Sequence, residues 1–260
     1  MDGIEITPIE IPFPSASYLD LKLALGACRL NVAPGGNQPW VSGSYRHPTG
    51  TLPLLIEEKD GSVKLSQEYR KLRGIGQMAD FVPVFDLALG KERPYRLSLE
   101  GGASESRFDL GGLPLRRLVV RQGAGKVDID FSAQNPEVMD LLDLEAGAVG
   151  LAMANLANAN CTEMVITGGA ASYKLGFGGT LRRDLNVSVT AGMASVEIEV
   201  PAPTAVKVLS EGSVGASLKV GDGFTTREGA LWNPAAMAGS TPALTIRAKI
   251  TLGSLQLRTI

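Results

Sequence analysis

Nine short stretches of this 260-residue chain repeat one pattern, a small-residue corner followed by alternating apolar and polar positions. GAGKVDIDF from Gly123 carries it most plainly. Aligning the first glycine brings GASESRFDL (Gly102), GAVGLAMAN (Gly147), GAASYKLGF (Gly169), GMASVEIEV (Gly192) and GSVGASLKV (Gly212) under it, at steps of 21, 24, 22, 23 and 20 residues. TLGSLQLRT from Thr251 forms a last copy, and GACRLNVAP from Gly26 and KDGSVKLSQ from Lys59 extend the pattern towards the N-terminus. A fixed period in this range marks a repeat architecture, in which each unit buries its apolar face against its neighbours.

Within the copies the fifth and seventh positions are mostly apolar: Val127 and Ile129, Leu151 and Met153, Tyr173 and Leu175, Val196 and Ile198, Leu255 and Leu257. The sixth and eighth, on the opposite face of a strand, are often charged, as in Arg107 and Asp109, Asp128 and Asp130, Glu197 and Glu199. A second alternating run separates one copy from the next, for example LRRLVVRQ from Leu115 and LNVSVT from Leu185. Each repeat therefore supplies two strands and two corners, with glycine at a corner where neighbouring turns crowd.

Repeats of this kind coil so that equivalent strands stack in parallel and two sheets enclose one core. The expected fold is all-β, a right-handed parallel β-solenoid of about 20-24-residue two-strand repeats, the hand following from the general preference of parallel crossovers. An antiparallel β-sandwich is the alternative, disfavoured because hairpin signals such as Asn-Gly are missing. Residues 1-22 read as an extended N-terminal cap, 23-96 as irregular first turns with longer loops between Ala33 and Gly61, and 97-260 as regular turns. Gln67 to Pro83 permits a short helix or an irregular crossing, and Asn135 with Pro136 permits a helical turn over 135-141. Asn155, Asn158 and Asn160 read as a polar turn rather than as an amide ladder. The step from Gly212 to Thr251 is 39 residues, so residues 221-243 form an insertion, expected to cap the coil with Trp232 laid on its surface.

The chain is 44% hydrophobic but only 5% aromatic, which suggests one core filled by aliphatic side chains rather than rings. A formal charge of -2 gives no basic field for nucleic acid. No run approaches the ~18 apolar residues of a membrane helix, and the acidic opening MDGIEITPIE is unlike a leader, so a soluble chain without a membrane segment is expected. Cys28 and Cys161 fall in different turns and read as free thiols.

Catalytic patterns are sparse. The single histidine, His47, precedes Pro48 in a Gly/Pro-rich stretch and reads as an exposed loop residue rather than as a base. No zinc spacing occurs, and GFGGT at Gly176 lacks the lysine and helix of a phosphate loop. Asp109, Asp128 and Asp130 stack on one outer face beside Arg107 and Lys126; a β-helix carbohydrate-active enzyme would use such carboxylates, but a solvated charge ladder is the expected reading. No cofactor, metal or catalytic residue is assigned. Two places read as interaction sites. Ala152, Ala154 and Gly176 leave an uncharged strip where other turns carry charge, and Trp232 with Asn233 would suit one wall of a ligand groove if they do not serve as a cap.

The GGA units, DLGGLPLRRLVVRQGAGKVDIDF, the break at ALWNP and the closing ALTIRAKITLGSLQL resemble the toastrack-type domains at the C-terminal end of bacterial LiaF-like, cell-wall-active antibiotic response proteins. The resemblance covers roughly residues 95-260 well and the earlier part loosely. It implies a β-solenoid-like domain without known catalysis, often attached to membrane segments and linked to envelope-stress regulation; this sequence departs from it in having no membrane-helix run. The expected function is a non-catalytic bacterial binding or scaffold module, cytoplasmic or envelope-associated, whose partner is a protein at the membrane or a second copy in a homo-oligomer. A self-assembling structural solenoid and the carbohydrate enzyme are the alternatives.

Overall fold

The computed structural model describes residues 3-49, 53-67, 82-211 and 215-260. The protein is nearly all β, 66% strand and 3% helix. Among the described residues eighteen strands follow in order: β1 Ile4–Ile11, β2 Asp20–Leu25, β3 Arg29–Pro34, β4 Val41–Pro48, β5 Leu54–Lys59, β6 Ser62–Gln67, β7 Val84–Leu89, β8 Tyr95–Asp109, β9 Leu115–Asp130, β10 Met139–Ala154, β11 Cys161–Gly168, β12 Ala171–Gly176, β13 Leu185–Val200, β14 Ala205–Ser210, β15 Ala216–Val220, β16 Thr225–Arg227, β17 Ala230–Trp232 and β18 Ala243–Thr259. The helical content includes a 3-10 turn, Leu156–Ala159, and the short helix α1, Pro234–Met237. The segment expected as a helix or irregular crossing after Gln67 falls mostly outside the described residues.

Parallel pairing of successive repeats builds two walls around one core. In the first wall β2, the first half of β8 and the first half of β9 lie side by side; in the second, β3 pairs with the second half of β8, and that half with the second half of β9. The repeat register is kept across coils: Phe108, Ile129 and Met153 face one another, as do Leu175, Ile198 and Leu257. This β-solenoid arrangement excludes an antiparallel sandwich over the regular coils. Val127, Ile129, Leu175 and Ile198 are buried in the shared core, as the alternation predicts.

The corner does not interrupt the strand in β8, β9, β10, β13 and β18, each of which runs through it into both walls. Glycine makes this passage feasible. A Cβ on Gly147 would stand 2.2 Å from the Gly123 carbonyl oxygen, and one on Gly125, at φ +113°, would stand 2.0 Å from that of Ser104.

Chain order and spatial order part company at both ends. β2 and β3 sit between β8 and the outer pair β6 and β7. At the other end β18 inserts between β13 and the outer pair β14 and β15. At the C-terminal end the chain thus lays down an outer coil and returns inside it, whereas at the N-terminal end the inner pair β2 and β3 precedes the outer pair and β8 then returns to the inner side. Leu218 shows the consequence: it keeps register with buried Leu255 but is 46% exposed, because no further coil among the described residues covers β15. Its expected place in the continuous inner stack is therefore corrected.

Antiparallel strands finish the ends. β1 pairs with β4 and β4 with β7, β5 pairs with β6, and β17 pairs with β14 and β16. KDGSVKLSQ, expected as a corner copy, is instead the turn and second strand of a hairpin feeding the first wall: Asp60 and Gly61 have φ of 48° and 81° and connect β5 to β6. Positive φ at both central residues suits the tight turn that matches strand twist, so Asp-Gly was the hairpin signal present. Much of the stretch expected as longer loops before Gly61 is likewise strand, β4 and β5.

The core is not purely aliphatic. Phe13, Trp40 and Tyr95 pack together, and Tyr45 stacks on Phe85 with ring centroids 4.1 Å apart. His47 belongs to this layer and not to an exposed loop. It alternates with Tyr45 on the inner side of β4, is 6% exposed and stacks on that ring. Its Nδ1 donates to the Pro48 carbonyl at 3.0 Å and its Nε2 accepts from Thr7 Oγ1 at 3.1 Å. Residues 135-138 form no helix; the 3-10 turn comes one coil later.

Candidate functional site

The outer surface of the second wall is concave and encloses a groove of about 850 Å³. Strand register places its lining. One row runs Asp86, Asn31, Arg107, Asp128, Ala152, Lys174, and the next holds Ala88, Ala33, Asp109, Asp130 and Ala154, with Gly176 beside Glu199 further along. Asn155, Gly178 and Ile260 close the loop side. Three sequence-predicted residues, Ala152, Ala154 and Gly176, thus lie together on the floor of this groove, and the acidic trio Asp109, Asp128 and Asp130 forms its side.

Each charged group has work within the wall. Asp109 accepts from Ser132 Oγ at 2.7 Å and from the Gly111 amide at 2.9 Å, fixing the turn after β8. Asp128 accepts from Lys126 Nζ at 2.8 Å, with Arg107 Nε at 3.9 Å. Asn155 donates to Asp130 at 2.8 Å. Lys174 lies 3.2 Å from Glu199, and Asn31 donates to Asp86 at 2.7 Å. The carboxylates are held by neighbours, as a charge ladder requires, and among the described residues no group of three or more acidic, histidine or cysteine side chains suits a metal ion. Five carboxylates against Arg107 and Lys174 leave the lining acidic.

Sequence reasoning missed Asn31, Asp86 and Asn155 as partners in this surface. β3 and β7 are far apart in the chain, so their pairing left no local signal. The asparagines did more than line a turn: Asn160 donates to the carbonyls of Asn135 and Glu137, and Asn135 bonds both the amide and the carbonyl of Leu115. The step of 25 residues from Asn135 to Asn160, about one coil, was the available clue.

Trp232 and Asn233 lie outside the groove, on β17 and the cap of α1. The Trp232 indole donates to the Arg227 carbonyl at 3.2 Å, and Lys207 Nζ stands 4.7 Å from the ring centroid. Asn233 is 1% exposed; its Oδ1 accepts from the Val206 and Ala236 amides, both at 3.0 Å, and its Nδ2 donates to the Thr204 carbonyl at 2.8 Å. The Thr204 and Val206 bonds and the Lys207 contact tie the insertion to the start of β14, while the Arg227 and Ala236 bonds hold the insertion together.

A second concavity of about 720 Å³ follows the glycine corners from Gly26 to Gly169, beside the Arg121–Glu145 pair at 3.1 Å. The two cysteines are buried and unpaired with each other. No helix among the described residues is long and apolar enough to cross a membrane.

Two crystal structures share the fold along nearly the whole chain. One is of a "putative cell adhesion protein" from Clostridium sporogenes ATCC 15579, 14% identical, with 100% of each chain covered and a TM-score of 0.50. The other is of a "putative adhesin" from Bacteroides fragilis NCTC 9343, 12% identical over 98% of this chain and 97% of that one, with a TM-score of 0.52. At such identity the likeness is of fold alone. No curated protein sequence matches. The family profile described as the N-terminal domain of toast_rack, DUF2154, matches residues 4-148. It overlaps the resembling motifs in the first regular coils and extends to the early strands, where the resemblance was loose. With more than half of its length matched, the chain belongs to the toast-rack family.

Proposed function

We propose that this protein is a non-catalytic binding module that holds a protein partner in the groove of its second wall. The observation that carries the reading is the groove's floor: Ala152, Ala154 and Gly176 leave open space above the sheet between charged residues already engaged with one another. Such a surface offers shape and field to a ligand without freeing an acid or base to react with it. The naming of the two similar structures after adhesion supports binding as the theme. A role in envelope-stress response and a right-handed sense of coiling belong to the same reading.

A photo-crosslinking residue at position 152 tests it in bacterial envelope extract, with Ala154→Trp as the filled-groove variant. One discrete crosslinked protein, lost when Ala154→Trp fills the groove, is the expected result. Unchanged crosslinking in that variant, or cleavage of a polysaccharide by the purified protein, would overturn the proposal.

A further inference from the structure

The four wall edges at the two ends of the coil stack are not alike. At the N-terminal end β1 finishes the second wall and β5 the first, both antiparallel to their neighbours. At the C-terminal end the hairpin β16–β17 finishes the first wall. Only β15, at the C-terminal edge of the second wall, ends on a strand parallel to its neighbour, with β18 on one side and no described strand on the other.

These edges also differ in protection. β1 carries Pro8, Glu5 and Glu10; β5 carries Glu57, Glu58 and Lys59; β16 is three residues long. Proline, charge and shortness are the usual means of refusing another strand. All of these longer edges expose apolar side chains, Ile4 and Ile6 on β1, Leu55 and Ile56 on β5, Leu218 (46%) and Val220 (39%) on β15, but β15 reads ASLKV, with one charge and no proline to guard it.

We infer that β15 pairs antiparallel with β15 of a second copy, joining the second walls of two molecules across a two-fold axis. The strand is self-complementary about Leu218. In that register Leu218 meets its own copy, Ala216 meets Val220, and Ser217 meets Lys219, so the apolar side chains share one face and no lysine opposes a lysine. Centring the pair on Lys219 instead would set like charges against each other. Opposed residues of an antiparallel pair point to the same side, so the two grooves would open on one face of the joined sheet. The inference rests on the strand edge and stands apart from what the groove binds. Five residue pairs make a contact below the ~1,200 Å² of a standard interface, so the dimer should be concentration-dependent.

Sedimentation of the whole chain over a concentration series should show a monomer–dimer equilibrium, shifted at least about tenfold towards monomer by Leu218→Asp, a fold-change equal to about 1.4 kcal/mol. The register is read from single cysteines. Leu218→Cys should give a covalent dimer on mild oxidation or with a short bismaleimide, whereas Ser217→Cys, facing Lys219, should give much less. The native cysteines are buried and serve as the background. A parent protein that stays monomeric throughout, a dimer indifferent to Leu218→Asp, or equal crosslinking at 217 and 218 would each overturn the inference.

Discussion

Ile129→Ala tests the register on which the rest of the structure depends. Ile129 is 2% exposed and lies between Phe108 and Met153 on the neighbouring coils. Three buried carbons at ~0.8 kcal/mol each give about 2.4 kcal/mol for transfer alone. Because strands pinned on both sides by parallel ladders relax little, the cavity should raise the loss to about 3 to 5 kcal/mol. Leu218→Ala is the internal control. It is equally apolar and in the same family of inward positions, but its site lacks a covering coil, so its loss should be about 1 kcal/mol or less. Equilibrium urea unfolding of both variants, with the slope checked for two-state behaviour, measures the difference. An Ile129→Ala loss below about 0.5 kcal/mol, or equal losses at the two sites, would refute the argument that burial is set by coil neighbours.

Two further outcomes follow from the corners and the core. Gly125→Ala should destabilise by about 3 kcal/mol or more in the same assay, since its Cβ would meet the Ser104 carbonyl at 2.0 Å, whereas Gly150→Ala, with nothing within 4 Å, should stay within about 0.5 kcal/mol; reversal of that order would refute the corner geometry. Burial pushes the Cys28 and Cys161 thiols up to about 12 from 9.0, which favours the protonated form in the folded state. Their contribution to stability is therefore complete below about pH 9 and fades as pH rises towards 12. A thiol reagent near pH 8 should label neither residue until denaturant is added, and prompt labelling of the native protein would show that one of them is accessible.

What the sequence disclosed followed from periodicity. Alternation at period two marked Val127, Ile129, Leu175 and Ile198 as interior, and glycine spacing marked the corners, because both are local properties repeated in every coil. Leu218 was misplaced for the complementary reason: its own strand has the same pattern, and its exposure depends on a neighbour that is missing. His47 was misplaced because a flanking proline reads as a turn, whereas the stacking of Tyr45 and Phe85 across β4 and β7 decides the matter and joins residues 40 apart. The strip of Ala152, Ala154 and Gly176 was legible as a loss of charge at regular positions. Its concavity was not, since the walls supplied by Asp86 and Asn31 depend on the pairing of β3 with β7.

That pairing is one instance of the inversion at the ends, which has a physical consequence for how the stack closes. If coils were laid down strictly in order, β18 would be an edge strand, free to fray. Here β18 is bonded to β13 over nearly all of its 17 residues, and on its other side to β14 over 243-248 and to β15 over 253-257. The outer coil therefore cannot stack on the core until β18 has entered beneath it, which ties β14 and β15 to a strand formed about 40 residues later. The insertion between them supplies the return path, and Asn233 fixes it to β14 through three hydrogen bonds that hold the first wall closed. The second wall receives no such closure. Its edge at β15 is left by the same topology that buries β18, so the exposed Leu218 and Val220 are a consequence of how the coil ends.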